Sequence, residues 1–196
     1  MVGLLRQRKS ELLRALENVD ETCLTEVVDA AGLIASSMRR GGKLLIFGNG
    51  GSAADAQHMS AEVVSSLDKN PLSPALPAIA LTTDSSFLTG YSNDFGFQGV
   101  FSRQVAALAR SEDVVLGIST SGSSRNVIEG LRQARELGVV AIAMTGERGL
   151  IGQDVDLVVR APSSSTQVVQ AIHLFYEHSI CELVIENLIE SPRDRF

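Results

Sequence analysis

A histidine and a glutamate lie four residues apart, shortly after a glycine-rich turn. The stretch reads KLLIFGNGGSAADAQHMSAE over residues 43–62, and its predicted helix carries His58 and Glu62. Residues at positions i and i+4 share one face of a helix, so both side chains can reach one metal ion or one substrate atom. Taken alone, this spacing more often belongs to an ordinary surface pair.

Five hydroxyl side chains surround a glycine directly before another predicted helix, in GISTSGSSRNVIEGLRQA (residues 117–134). Hydroxyls and backbone N–H groups at a helix N-terminus bind anions without any lysine. An ordinary serine-rich turn needs only one or two hydroxyls, so the segment favours phosphate binding. The sequence lacks GxxxxGK[ST], which argues against a nucleoside triphosphate. The hydroxyls belong to Ser119, Thr120, Ser121, Ser123 and Ser124, and residues 119–124 are called the serine loop below.

The glycine-rich turn GNGGSAAD permits close approach of the backbone to a ligand, because glycine tolerates positive φ angles. Ser52 is placed as an N-cap of the following helix. The dinucleotide pattern GxGxxG is absent, since Ala53 occupies its last position, and the second strand is followed only by Asp84. These two features argue against a nicotinamide cofactor.

Continuous apolar runs alternate with helical segments along the chain. Runs of this kind predict strands that are buried on both faces, hence a parallel sheet covered by helices. We therefore expect one domain over residues 1–196, a three-layer α/β/α sandwich with a five-stranded parallel sheet and a helical N-terminal extension over residues 1–40. The predicted strands are 43–48, 77–81, 113–119, 139–144 and 156–162, and the predicted helices after the extension lie near 52–66, 98–109, 124–137 and 164–190.

Charge and composition exclude several classes of protein. The net charge is −6 and no basic cluster is present, which argues against a nucleic-acid partner. No uninterrupted apolar run approaches 18 residues, and the N-terminus lacks a signal-peptide core, so we expect a cytoplasmic protein without a membrane span. Cys23 and Cys181 are expected to be reduced.

Four motifs, in unbroken order from about residue 40 to 190, resemble the sugar-isomerase (SIS) family and, within it, the phosphoheptose isomerases. They are GNGGSAADAQH, NDFGF at 93–97, DVVLGISTSGSSRNVI and QAIHLFYEH at 170–178. The resemblance implies a flavodoxin-like fold, and an isomerase that converts sedoheptulose 7-phosphate to D-glycero-D-manno-heptose 7-phosphate for the heptose of lipopolysaccharide.

The resemblance also implies roles for individual residues. One zinc ion per subunit would be held by His58, Glu62, Gln170 and His178. Glu62 would move a proton between carbons 1 and 2, and His178 would be the partner acid/base; a carboxylate base and stabilisation of an enediolate oxygen are what this isomerisation needs. His173 lies outside this set and is expected to be structural. The implied substrate-binding residues are Asn49, Gly50, Gly51, Ser52, Glu62, Asn93, Asp94, Ser119, Thr120, Ser121, Ser124 and Gln170.

Two positions depart from the family pattern. Ser66 and Val168 stand where arginines are usual, which could weaken heptose-phosphate binding or shift the sugar preference unless Arg103 or Lys69 substitutes. An isomerase of another sugar phosphate is therefore one alternative. A second is a regulator that binds the replication initiator protein, although such relatives tend to lose the metal-site residues.

The spacing of Gln170 and His178 bears on assembly. Eight residues apart on one predicted helix, their Cα atoms are separated by about 12 Å along the axis. Two zinc ligands lie within about 4 Å of each other, so one of the pair should come from a neighbouring subunit or lie outside the ligand shell. With the resemblance, this spacing predicts a homotetramer with active sites at subunit interfaces.

Overall fold

The five strands form one all-parallel sheet in the order β2-β1-β3-β4-β5, as the apolar runs predict. A computed structural model describes residues 1–65, 75–150 and 155–189. The connection from β2 to β3 passes over β1, so the strand order reverses between β1 and β3, and ligands of such sheets bind beyond the carboxyl ends of the strands at this kind of switch point. The strands are β1 (Leu44–Gly48), β2 (Ala78–Ala80), β3 (Val114–Ser119), β4 (Val140–Thr145) and β5 (Leu157–Arg160).

Two layers of helices cover the sheet, which confirms the three-layer α/β/α architecture. Alternate residues of β1 explain the arrangement: Leu44 and Ile46 pack with α2, α3 and α7, whereas Leu45 and Phe47 pack with α5 and α6. The helices are α1 (Val2–Glu17), α2 (Glu21–Arg39), α3 (Gly51–Ser65), α4 (Ser85–Phe95), α5 (Val100–Leu108), α6 (Arg125–Glu136) and α7 (Thr166–Ile189).

Helix α4 lies where the apolar pattern predicts no helix. Asp84 caps it by accepting a hydrogen bond from Phe87 N at 2.9 Å, so this acidic residue is an N-cap. The rings of Phe87, Tyr91 and Phe95 follow one another along the helix, with centroids 5.3 and 5.1 Å apart. No residue of α4 is buried, so it lacks the buried stripe by which the other helices are recognised.

Helix α7 is long and apolar enough to cross a membrane by length and composition, and it is the one such helix in the ranges described. Core helices pass the same test, and half of its most apolar stretch is buried inside the protein. His173 and Glu177 are fully buried on this helix, which packs against α2 and α3. The length of α7 therefore agrees with its role as a core helix that positions side chains at the site.

Candidate metal and sugar-phosphate site

Three side chains from two helices meet at one point. His58 Nε2 lies 3.0 Å from Glu62 Oε1 and 3.0 Å from His178 Nε2, and His178 Nε2 lies 3.2 Å from Glu62 Oε1. The first two residues belong to α3, and the third comes from α7, 120 positions along the chain from His58. We call these three residues the donor triangle.

The donor triangle fits a tetrahedral metal ion. Zinc binds imidazole nitrogen and carboxylate oxygen at about 2.0–2.2 Å, which separates two ligands of one tetrahedron by about 3.3 Å. The three donor separations are within a few tenths of an ångström of that value. Glu62 Oε2 is buried and has no hydrogen-bond partner among the described residues, so this oxygen is open to a ligand.

Further carboxyl groups make the surroundings of the triangle acidic. Burial, assisted by the charges of Asp55 and Glu62, raises the pKa of Glu177 to about 9, so Glu177 is neutral at pH 7. Burial also raises the pKa of Asp55, and the charge of His58 partly opposes this effect. Both Glu177 oxygens and Asp55 Oδ2 are buried without partners in the described part of the chain. A cation at the triangle would favour the charged forms of these carboxyl groups, so metal binding and their ionisation would support each other.

Gln170 lies elsewhere on α7, beside the start of α3. A Cβ atom at position 51 would lie 2.3 Å from Gln170 Nε2, so any larger residue there would displace this amide. Gly51 and His58 are separated by about 10 Å of helical rise. The structure thus brings three of the four predicted metal-site residues together and places Gln170 against the glycine-rich turn.

The loops after β1 and β3 are joined by a pair of amides. Asn49 Nδ2 donates to Asn126 Oδ1 at 2.9 Å, and Asn126 Nδ2 donates to Asn49 Oδ1 at 2.8 Å. Asn126 also accepts from Val127 N at 3.0 Å and is buried. Asn126 could not be recognised from sequence, since an asparagine in the first turn of a helix is common. Gly50 has a φ of +57°, as the predicted turn requires. Ser52 is buried, and the prediction that it is the N-cap is wrong, because α3 already begins at Gly51.

Hydroxyls of the serine loop contact each other. Ser119 Oγ lies 3.0 Å from Ser124 Oγ, and Ser123 Oγ lies 2.9 Å from Ser121 Oγ. Ser124 is the N-cap residue of α6, yet its side chain makes no capping bond. First-turn N–H groups of a helix have no intrahelical partner, so an anion can bind here.

A polar cavity of about 210 Å³ opens beside the serine loop. Thr120, Ser121 and Ser123 form one wall, and residues after β4 and around the start of α7 form the other. The second wall could not be recognised from sequence, because serines in a loop carry no pattern unless the fold brings them to a site. The residues added by the structure are Glu147, Arg148, Ser163, Ser164 and Thr166.

The remaining predicted residues divide into three groups. Asn93 and Asp94 lie near the end of α4, where Asn93 Nδ2 donates to Asp94 Oδ1 at 2.9 Å. Val168 is buried on α7, so it contributes no charge where an arginine is usual. Ser66 and Lys69 lie outside the described residues.

His173 is buried in a structural contact, and its burial makes the stability of the fold depend on pH in the acid range. Its Nε2 lies 3.0 Å from the Thr145 carbonyl, and burial lowers the pKa of His173 to about 4 from the usual 6.5. The unfolded chain therefore takes up a proton between pH 6.5 and 4 that the folded chain does not, so His173 favours unfolding as the pH falls through this window. The difference amounts to about 3 kcal/mol at pH 4.

We expect His173→Gln to remove this pH dependence. In urea titrations with chelator present, the wild-type protein should lose more unfolding free energy than the variant between pH 7 and pH 4, by about 3 kcal/mol. Glu177 has the opposite effect on stability: because its pKa is raised, the free energy of unfolding falls as the pH rises from 4.5 towards 9. Both proteins contain Glu177, so this effect cancels in the comparison. Equal pH dependence in the two proteins would contradict a buried neutral His173.

Comparison with known proteins agrees with this geometry. The model of the SIS domain family matches residues 9–146. Phosphoheptose isomerase of Aquifex aeolicus is 49% identical over 84% of this chain and 86% of its own, and that of Thermodesulfovibrio yellowstonii is 43% identical over 96% and 93%. Among solved structures, phosphoheptose isomerase of Neisseria gonorrhoeae superposes with a TM-score of 0.85 at 38% identity, covering 94% of this chain and 98% of its own. That of Francisella tularensis has a TM-score of 0.89 at 30% identity, with the same coverage. The chain belongs to the SIS domain family and, within it, to the phosphoheptose isomerases.

Proposed function

We propose that this protein interconverts sedoheptulose 7-phosphate and D-glycero-D-manno-heptose 7-phosphate, a step of heptose biosynthesis. The observation that carries the proposal is the donor triangle, found in a phosphoheptose isomerase chain that also has a hydroxyl-lined cavity. A carboxylate among imidazoles suits proton transfer next to a carbonyl, and the cavity suits the phosphate at the other end of the sugar.

Glu62 and His178 carry the proposed proton transfers. The Glu62 carboxylate takes a proton from carbon 1 of the ketose, and the electrons of that C–H bond form the C1–C2 double bond of an enediolate. Glu62 returns the proton to carbon 2, while a proton moves from the oxygen on carbon 1 to the oxygen on carbon 2; His178 would carry this proton when its Nε2 is not bound to the metal. His178 Nε2 and Glu62 Oε1 are 3.2 Å apart, so both groups can face the same two carbons.

We also propose that the triangle holds one zinc ion per subunit. His58, Glu62 and His178 would be its ligands, and Gln170 of a neighbouring subunit would complete the set. Bound zinc supplies a Lewis acid that polarises the substrate carbonyl. The donor separations and the unpartnered Glu62 oxygen support this proposal.

A substrate panel tests the proposed reaction. Purified protein is assayed with sedoheptulose 7-phosphate, fructose 6-phosphate, ribulose 5-phosphate and their aldose partners. We expect kcat/KM to be highest for the seven-carbon pair. Val168 in place of an arginine is the feature that favours the runner-up, an isomerase of another sugar phosphate, which a higher value for a shorter sugar would support.

Assembly is proposed to be a cytoplasmic homotetramer whose active sites lie at subunit interfaces. Apolar side chains exposed on two helices support this arrangement: Leu5 of α1 is 69% exposed and Phe95 of α4 is 75% exposed. Unpartnered apolar surface of this kind commonly marks an interface. Light scattering should give four times the chain mass of 20.9 kDa, and dilution to monomers should abolish activity. A fully active monomer would contradict the shared site.

A further inference from the structure

The proposed substrate carries a phosphate, whose charge at pH 7 is about −1.5 to −2. Hydroxyls and backbone N–H groups of the serine loop are neutral, so they do not balance this charge. We propose that Arg148, in the loop after β4, is the cation that binds the phosphate and thereby sets the affinity for phosphorylated sugars. The proposal rests on the proposed function and adds a residue to its site.

Arg148 lines the hydroxyl-lined cavity opposite the serine loop. Among the described residues that form this cavity, it is the one lysine or arginine, and its side chain is exposed to solvent. The guanidinium group presents paired N–H donors that match two phosphate oxygens. Hydroxyls of both loops lie around the same space, so they can bind the remaining oxygens.

The backbone around Arg148 is fixed to both walls of the cavity. Gly146 N donates to the Thr120 carbonyl at 3.1 Å, and Glu147 N donates to the Ser163 carbonyl at 3.1 Å. Gly149 N closes the turn by donating to the Gly146 carbonyl, also at 3.1 Å. Arg148 therefore projects from a turn that is held between the serine loop and the loop before α7.

The same turn also packs directly on the serine loop. Gly122 has a φ of +65°, and a Cβ atom there would lie 1.9 Å from the Gly149 carbonyl oxygen. Only glycine allows this approach, so the serine loop and the turn form one unit. A phosphate bound by the serine hydroxyls would therefore lie within reach of Arg148, because the next residue, Gly149, contacts the serine loop.

Other basic residues are less well placed. Arg103 is exposed on α5 and is not part of the described lining of this cavity. Arg14 of α1 lines an adjoining cavity of about 320 Å³ together with Val168. Glu147 borders both cavities, and its negative charge opposes the binding of an anion beside Arg148.

Direct binding of inorganic phosphate tests the role of Arg148 whatever the enzyme's sugar substrate. Titration calorimetry measures phosphate affinity for the wild-type protein and for the variants Arg148→Gln, Arg148→Lys, Glu147→Gln and Arg132→Gln. Arg148→Gln removes the positive charge of the side chain, whereas Arg148→Lys keeps it. Arg132 is an exposed arginine on α6 that pairs with Glu129, so it serves as the matched control. We expect Arg148→Gln to weaken phosphate binding by about tenfold, the scale of one charge-assisted hydrogen bond. Arg148→Lys should lose less, Arg132→Gln should keep the wild-type affinity, and Glu147→Gln, which removes a negative charge from the cavity lining, should bind phosphate more tightly.

Kinetics with the sugar phosphate separates binding from chemistry. Arg148 contacts a group that does not react, so Arg148→Gln should raise KM by about the same tenfold factor and leave kcat within about twofold. Phosphate affinity of Arg148→Gln within twofold of the wild-type value, or an equal loss in Arg132→Gln, would overturn the proposal. A wild-type protein that binds phosphate through Arg148 but isomerises none of the sugars would instead refute the proposed function alone.

Discussion

Glu62→Gln is expected to lower kcat by at least about 100-fold, because general acid–base assistance is typically worth about 10² to 10⁴ in rate. The amide keeps the shape of the side chain but cannot accept a proton from carbon 1. Glu62 Oε1 also lies 3.0 and 3.2 Å from the two imidazole nitrogens, so the variant should bind zinc more weakly as well. Steady-state assays with sedoheptulose 7-phosphate measure the loss.

Two controls make the Glu62 result specific. Glu136→Gln removes an exposed carboxylate on α6, far along the chain from the triangle, and should keep wild-type turnover. Circular dichroism should show that Glu62→Gln remains folded, because the substitution preserves volume. Turnover of Glu62→Gln near the wild-type value would rule out Glu62 as the base.

His178→Ala should release zinc and abolish turnover. One donor of three is removed, and His58, Glu62 and His178 are the one group of three such donors found among the described residues. Changing a residue that merely supports a metal ligand commonly costs about 10- to 100-fold in affinity, so losing a ligand should cost at least as much. Metal analysis after dialysis against a chelator should find about one zinc per chain in the wild-type protein and almost none in the variant.

His173→Gln is the matched control for this experiment. It changes a histidine on the same helix whose Nε2 contacts the Thr145 carbonyl rather than the triangle, so its zinc content should equal that of the wild-type protein. Zinc retention should fall at low pH, since an imidazole must be unprotonated to bind metal. Full zinc content in His178→Ala would show that the metal binds elsewhere.

The sheet could be predicted from sequence because its strands are buried on both faces. The core strands β1 and β3 consist entirely of buried residues, so they read as continuous apolar runs with clear ends. Helix α4 escaped prediction for the opposite reason, since none of its residues is buried. A capping Asp84 followed by Phe87, Tyr91 and Phe95 at intervals of four was the available signal.

The site could be predicted only in part. His58 and Glu62 follow from spacing on one helix, but their meeting with His178 depends on the packing of α3 against α7 and was implied by resemblance alone. Arg148 and Asn126 carry no local pattern, because their positions depend on contacts between loops that are distant in sequence. Both residues could be identified only from the three-dimensional structure.

Proton transfer through an enediolate is most directly tested by carrying out the reaction in deuterium oxide. Wild-type protein is incubated with sedoheptulose 7-phosphate, and proton NMR follows the aldose product. We predict that D-glycero-D-manno-heptose 7-phosphate accumulates with deuterium at carbon 2, because a proton held by the Glu62 carboxylate can exchange with solvent before it is returned. Absence of the aldose phosphate, or a product that keeps the original proton in full, would contradict this mechanism.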